Sequence, residues 1–399
     1  MTGAVSCSFQ FALTVLLASG VLLVKPLAAQ DGQQESRPFT PGTCGRVDPT
    51  YIRTAEATGG QPMFLQPSEM AVAGHLMRSS VSSSSDALLY ATAHLGGQKR
   101  SYSIPIDTSV RSVTFTLSFD APGTRITLQR PSGSAVVSGG GVEISEWTCG
   151  RIVTVDSPEK GAWRVELSGT GRFWLRVEAT SELYLLTAGF MVLGGRPGHE
   201  GYFRIAGQPL ARRPQLLRVT LSGKLQSAEF RFVSTAGETL QAIRMEGGDS
   251  DGDDHEYMGT ETLPSAPFRV AASGRDENGL PFERWYLPQF LATTVEIVPP
   301  DRFEEVAAGT IHPLEFTLRN HGVSDTFQII AVDSTGTILQ AQPAQPAIAK
   351  DSTSKIIIPI AVPADARPGS SITVIITATS TSNPETTNGI SQELSVAGK

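Results

Sequence analysis

The sequence predicts an all-β protein built of tandem β-sandwiches and preceded by a short αβα segment. Three observations point there. Short apolar-alternating runs recur along the whole chain, with 39 glycines and 26 prolines among them, a composition suited to turn-rich sheet architectures. In the clearest runs, Val113, Phe115, Leu117 and Phe119 alternate with Thr114, Thr116 and Ser118, and Trp163, Val165 and Leu167 alternate with Arg164 and Glu166. A period of two with one apolar face marks antiparallel strands half-buried on a core. Turn residues separate the runs at Ala121-Pro122-Gly123, Pro131-Ser132-Gly133, Gly139-Gly140-Gly141 and Ser168-Gly169-Thr170-Gly171.

A chain of 399 residues has room for two or three domains. The one long apolar stretch, Phe9 to Val24, is followed by Pro26-Leu27-Ala28-Ala29-Gln30 and reads as a secretory signal cleaved after Ala29, giving residues 1–29 as leader. No Lys or Arg precedes the apolar run, so an uncleaved signal anchor is the alternative and the sole expected route to a membrane. No Leu-x-x-Cys lipobox precedes the polar linker 30–43. The expected location is secreted, periplasmic or cell envelope. In an exported chain Cys44 and Cys149 can form a disulfide; two buried thiols are the other reading, and spacing does not choose between them. The formal charge of −7 is spread without a basic stripe, which excludes nucleic acid as a partner.

Residues 44–86 read as the αβα segment. Asp48-Pro49-Thr50 caps a helix carrying Tyr51, Ile52 and Ala55, and Gly59-Gly60 stops it. Met63-Phe64-Leu65 reads as a brief strand, and Ser68-Glu69-Met70 starts a second helix with Met70, Ala73, Leu76 and Met77 at helical spacing. The segment is too short to bury a core and has to dock on the β-sandwich next in the chain. Three β units are then expected. The first covers 87–186. The second, 187–291, has strands at Tyr202–Ile205, Leu217–Leu221, Phe230–Phe232 and Phe268–Val270. The third, 292–399, has Leu314, Phe316 and Leu318 alternating, then Ile356–Ile360, Ile372–Ile376 and a last strand Gln392–Val396 after a long turn at Thr377–Thr387. Pro359 belongs on an edge or at a bulge, because it cannot donate to a ladder.

The motifs YIRTAEATGGQPMF, SYSIPIDTSVRSVTFTLSF, LQRPSG, RIVTVDSPEKGAWRVELSGTGRFWLRV and PFRVAASGRDENGLPFERW, in that order over roughly Asp48 to Phe290, resemble hemicentin and its relatives. That resemblance implies an extracellular protein in which the tail of a von Willebrand factor type A domain (44–86) leads into a galactose-binding-like β-sandwich (87–186) and immunoglobulin-like sandwiches (187–291, 292–399). The last unit resembles bacterial immunoglobulin-like modules, and a bacterial homologue is expected. The chain carries no Asn-x-Ser/Thr sequon, so N-glycosylation is not expected. The body of the type A domain is absent. Its metal signature Asp-x-Ser-x-Ser is not matched either, since Asp107-Thr108-Ser109-Val110-Arg111 fails at the last position. Metal-dependent binding of the type A kind therefore does not transfer.

Two constellations carry chemistry. In the run GGDSDGDDHE, Asp249, Asp251, Asp253, Asp254 and Glu256 offer carboxylates at close spacing in a Gly-containing loop, the hard oxygen donors that Ca²⁺ takes. An EF-hand is excluded, since Asp254 stands where its Gly is required and Thr260 where its bidentate Glu belongs. A solvated acidic loop is the other reading. In Phe173-Trp174-Leu175-Arg176-Val177-Glu178, alternation turns Trp174 away from the core onto a face shared with Arg172, Arg176 and Glu178. An aromatic flanked by Arg172 and Arg176 suits a sugar face; burial of Trp174 under the αβα segment or the second β unit is the competing reading. Trp163 reads as core, Trp147 as a neighbour of Cys149, and Trp285-Tyr286 as a contact between β units.

The six histidines show no zinc spacing, and no nucleophile elbow occurs. The expected protein is therefore an exported, non-enzymatic binding or adhesion module contacting glycans or surface proteins. A structural spacer of stacked sandwiches is the alternative.

Overall fold

The computed structural model describes residues 44, 47–72, 74, 85–196, 198–300, 304–339 and 345–398. The expected leader, the linker 30–43, and Ala73, Leu76 and Met77 of the expected second helix lie outside the described residues. The chain forms two compact units. The first holds the described residues up to Ala188 together with Val219–Gly259 and Pro267–Gln289; the second holds Gly189–Arg218, Thr260–Ala266 and the chain from Phe290.

The first unit opens with a helix, Pro49–Thr58, where the sequence signals place it. The Asp48 carboxylate accepts from the Thr50 backbone N–H at 2.8 Å, and Pro49 sits in the first turn, where its missing N–H costs nothing. Gly59 ends the helix at φ +79°. A Cβ there would also lie 2.4 Å from Cβ of Leu287, so both backbone conformation and close packing require glycine. The expected strand Met63–Leu65 does not form. Residues 61–66 run without strand pairing, and Gln61 Nε2 reaches the carbonyls of Thr116 at 3.1 Å and Trp174 at 2.7 Å. This stretch lies across a sheet face instead of extending a sheet edge. A 3₁₀ turn, Pro67–Glu69, comes next.

A nine-stranded sheet dominates the first unit. Its strands run, edge to edge, Thr239–Ile243, Leu225–Ser234, Phe268–Asp276, Pro281–Phe290, Ser85–Gly96, Thr170–Thr180, Ser112–Phe119, Gly150–Asp156 and Val142–Trp147. A three-stranded sheet, Arg100–Ile106, Gly161–Ser168 and Arg125–Gln129, contributes to the same core. The alternating residues meet there: Val113, Phe115 and Leu117 of the large sheet share one apolar cluster with Ile104, Trp163, Val165 and Leu167. Phe115 and Trp163 lie 5.7 Å apart. Leu167, Val165 and Trp163 are fully buried, as their strand pattern requires.

Residues 219–289, read from sequence as part of a separate sandwich, bury Phe230, Phe232, Phe268, Val270 and Phe282 outside the first sandwich's cluster and also reach into that cluster. The strand Pro281–Phe290 joins Ser85–Gly96 at Ala87 opposite Trp285, and Val233, Ala271 and Trp285 belong to the first sandwich's core cluster. The pairing spans nearly two hundred positions, a non-local contact on which strand periodicity is silent.

The second unit contains an immunoglobulin-like sandwich. One sheet is Val295–Val298, Ile311–Asn320 and Ser352–Ala361; the other is Glu304–Val306, Thr387–Val396, Ser371–Ser380, Asp325–Asp333 and Ala347–Ile348. Leu314, Phe316, Leu318, Ile356, Ile358, Ile360, Ile372, Val374 and Ile376 fill the space between them. Pro359 lies on the outermost strand of its sheet, where its missing donor removes no ladder bond. The expected long turn at Thr377–Thr387 is shorter in the structure, because the strand Ser371–Ser380 runs on and the last strand starts at Thr387. Asp325 holds the remaining turn by accepting from Ser382 Oγ at 2.7 Å.

Candidate functional site

Trp174 does face away from Phe173 and Leu175, as alternation requires, but it offers no platform to a sugar. Its exposure is 0%, because the helix Pro49–Thr58 and the stretch after it cover that face of the sheet. Trp174 Nε1 donates to Glu56 Oε1 at 2.7 Å, and Phe64 packs against the indole with ring centroids 5.6 Å apart. Thr92 and Ser118, its partners on the two flanking strands, are buried with it. Arg172 pairs with the same Glu56 oxygen at 2.7 Å and sits over the Trp174 ring, 5.3 Å from its centroid. Arg176 turns to the Gly59 carbonyl at 3.3 Å and to Glu178 Oε1 at 2.6 Å. The three side chains expected to bind a ligand thus hold the N-terminal segment, and the expected sugar-binding face is corrected to an internal joint.

Cys44 and Cys149 form a disulfide with Cα atoms 5.4 Å apart, which fastens the start of that segment to the sheet. Nearby, Glu69 Oε1 accepts from the backbone N–H of Thr148 at 2.7 Å and from its hydroxyl at 2.6 Å. Burial works against the Glu69 carboxylate, but the bonds from Thr148 and the Gln66 N–H outweigh it and lower its pKa.

Two buried arginines tie residues 267–289 to the same sandwich. Arg269 donates to the Leu287 carbonyl at 2.6 Å and to the Glu56 carbonyl at 2.5 Å, and lies 4.2 Å from the Tyr90 ring centroid. Arg284 donates to the Leu183 carbonyl at 2.8 Å and to Ser181 Oγ at 2.7 Å. It lies 2.8 Å from Asp107 and 3.6 Å from Asp86. Burial raises the Asp86 carboxyl to about 7, against the pull of Arg284 and of the Leu185 and Ala87 N–H groups. Asp107 and Arg284 are both 0% exposed. With both partners sealed from solvent, this is a structural ion cluster, not one that meets a substrate.

The acidic run is a β-hairpin, which corrects the expected loop. Glu246–Asp251 pairs with Asp254–Thr262, Asp251 opposite Asp254, and Gly252 takes φ +71° at the turn. The signal was present in Asp251-Gly252, a dipeptide favoured in tight hairpins. The five carboxylates are spread over two strands and a turn. Asp253, Asp254 and Glu256 are exposed, and the side chains of Asp249 and Asp251 lie outside the described ones. Among the described residues no group of three His, Cys, Asp or Glu is placed to hold a metal.

A different surface stands out. In the second unit, Met191–Arg196 pairs with His199–Arg204, Leu193 opposite Tyr202 and Val192 opposite Phe203. All four are large and apolar, yet exposed: Val192 52%, Leu193 66%, Tyr202 51% and Phe203 52%. Neighbouring residues on a strand point to opposite faces, so this hairpin shows an apolar cross-strand pair on each face. From sequence, Tyr202–Ile205 reads as an ordinary strand. The missed signal is the adjacency of Val192-Leu193 and of Tyr202-Phe203, which breaks the alternation of a one-sided sheet. Such a surface is suited to apolar contact with another macromolecule. Among the described residues no helix is long and apolar enough to cross a membrane.

Residues 87–182 match the family model of the hemicentin galactose-binding domain-like, and residues 298–397 match that of the VWA7 Ig-like domain. Hemicentin-1 of Mus musculus is 25% identical over 244 residues, 59% of this chain and 4% of that protein. Hemicentin-1 of Homo sapiens is 26% identical over 198 residues, 48% of this chain and 3% of that protein. Hemicentin-2 of Mus musculus is 24% identical over 252 residues, 61% of this chain and 5% of that protein. The chain matches only a small fraction of each relative's length. Among solved structures, a chimeric titin Z1Z2-Z1Z2 tandem is similar over 49% of this chain and 97% of that chain, at 15% identity and a TM-score of 0.21, a likeness too loose to place any residue. Residues 87–182 are thus similar to the hemicentin galactose-binding-like domain, and residues 298–397 to the Ig-like domain of VWA7.

Proposed function

We propose that this protein is an exported, non-enzymatic adhesion module that contacts other proteins outside the cell through the apolar hairpin of Met191–Arg196 and His199–Arg204. The hemicentin-type resemblance supports the compartment and the adhesive class. The observation that carries the surface is the pair of exposed apolar contacts, Leu193 with Tyr202 and Val192 with Phe203. Aromatic side chains supply much of the contact area in protein interfaces and are enriched there. Glycan recognition loses its motivation once Trp174 is covered, so protein surfaces are the favoured partners.

The test is capture of soluble ectodomains and matrix proteins on the immobilised chain, comparing wild type with Leu193→Ser/Tyr202→Ser/Phe203→Ser. These side chains are exposed, so the variant is expected to keep its melting temperature and lose capture. Capture that survives the triple change moves the contact surface elsewhere. A wild type that captures nothing favours the spacer reading.

A further inference from the structure

Among the described residues, the strand His199–Arg204 is the edge of the sheet that it forms with Tyr184–Arg196. Its inner side is fixed: the Ile205 N–H donates to the Phe190 carbonyl at 2.9 Å, and the register runs back from Arg204 opposite Met191 to His199 opposite Arg196. In an antiparallel ladder, residues that exchange hydrogen bonds with one neighbour alternate with residues whose N–H and C=O face the other side. Ile205, Phe203, Gly201 and His199 therefore face inward. Glu200, Tyr202 and Arg204 present their backbone groups outward, in a strand whose side chains are almost all exposed. Native proteins blunt such an edge with charges, Pro, bulges or short strands; this six-residue strand carries Glu200 and Arg204 together with Tyr202 and Phe203.

We propose that this edge pairs antiparallel with the same strand of a second copy of the chain, about a two-fold axis passing at Tyr202. The inference rests on the hairpin being a contact surface and goes further by naming the partner. This register meets three conditions, and the charge pairing distinguishes it from registers shifted by two. Outward-facing backbone groups meet outward-facing groups, with Tyr202 opposite its own copy and Glu200 opposite Arg204. Each of the two Glu200–Arg204 cross-strand pairs joins opposite charges. Phe203 of one copy comes opposite Gly201 of the other, the glycine beside which that copy's own Phe203 ring lies, so the two Phe203 rings become diagonal neighbours on one face. A two-fold contact is self-complementary by construction. Shifting the register by one residue would set inward-facing groups against outward-facing ones. Edge pairing of one short strand is a small interface, so the dimer is a reversible one.

The experiment is light scattering of the purified protein over a concentration series. Wild type is expected to rise from monomer to dimer mass. Glu200→Arg sets arginine against Arg204 of the other copy, and Arg204→Glu sets glutamate against Glu200; each is expected to weaken dimerisation on the order of tenfold. An equimolar mixture of the two variants restores both opposite-charge pairs and is expected to recover dimer. A second variant, Tyr202→Cys, brings two cysteines to the axis at a Cα separation of about 5.5 Å, within disulfide reach, and is expected to form a covalent dimer under oxidising conditions. A wild type that stays monomeric, or a mixture that fails to recover dimer while both variants remain folded, overturns the proposal. Capture of extracellular proteins by a strictly monomeric chain would overturn this inference and leave the adhesive reading standing; dimerisation without capture would do the reverse.

Discussion

Among single residues, Arg284 is the one cation of a buried cluster. It lies within ion-pair distance of Asp107 and Asp86; without it Asp107 would be left in a sealed interior and Asp86 in a nearly sealed one. Arg284→Met is expected to cost about 3–5 kcal/mol of unfolding free energy, the usual penalty for stranding a buried charge, as read by urea denaturation. Asp107→Asn/Arg284→Met is expected to cost less than the single change. Asp86 adds a pH dependence. Its carboxyl stands at about 7 in the folded protein against a reference of 3.8. Between about pH 4 and pH 7 the folded state holds a proton that the unfolded chain has released, so stability falls as pH rises through that window, by about 1.4 kcal/mol per unit at most. Burial raises the Glu283 carboxyl as well, which adds a slope of the same sign. Asp276 and Asp333 act oppositely: burial opposes their ionisation, but hydrogen bonds prevail and lower both pKa values. Their stabilisation is lost as pH falls below about 4. Asp86→Asn is expected to flatten the decline between about pH 4.5 and pH 7 in urea titrations; an unchanged slope would remove Asp86 as its source. Sequence alternation alone put Trp174 off the Phe173 and Leu175 face. Its cover was hidden because Glu56 lies 118 positions away in the chain and no local pattern links the two.

The element that most changes the reading of the molecule is the segment from Cys44 to the 3₁₀ turn. Its helix was legible from Asp48-Pro49 and Gly59-Gly60, since capping is local chemistry. Its missing strand was not: Met63-Phe64-Leu65 has strand composition, but Phe64 is drawn to the Trp174 ring. Docking of this segment depends on Glu56, Gln61 and the disulfide together. The disulfide closes a separation of 105 residues, for which chain-entropy arguments give up to about 4.7 kcal/mol. Cys44→Ser is therefore expected to lower the melting temperature and to let iodide quench Trp174 more readily, while Trp163, inside the sandwich, stays protected. Equal quenching in wild type and variant would show that the hydrogen bonds to Glu56 suffice to keep the segment docked.

On the scale of the whole molecule, strand periodicity identified most strands and the all-β class, but not which sheet each strand enters. The match to the hemicentin galactose-binding-like domain model ends at residue 182, and a boundary at 186 sits naturally beside it. The sheet does not respect that boundary. Removing everything after Leu186 would delete Pro281–Phe290, uncover the Ala87 side of Ser85–Gly96, strip Trp285 from the core and leave Asp86 and Asp107 without Arg284. A fragment 44–186 would thus combine a freshly exposed apolar sheet edge, a known aggregation hazard, with two buried carboxylates that lack a cation. The fragment 294–399 differs, because its apolar cluster is drawn only from residues between Val295 and Val396. The expected outcome is that 294–399 unfolds cooperatively on heating while 44–186 binds a hydrophobic dye and shows no cooperative transition. Extending the first fragment to residue 291 should restore the transition, since that adds both buried arginines and Trp285. Cooperative unfolding of 44–186 near the melting temperature of the 44–291 fragment would mean that the galactose-binding-like sandwich stands alone and that the strands beyond it are an appendage to its sheet, with no share in its stability.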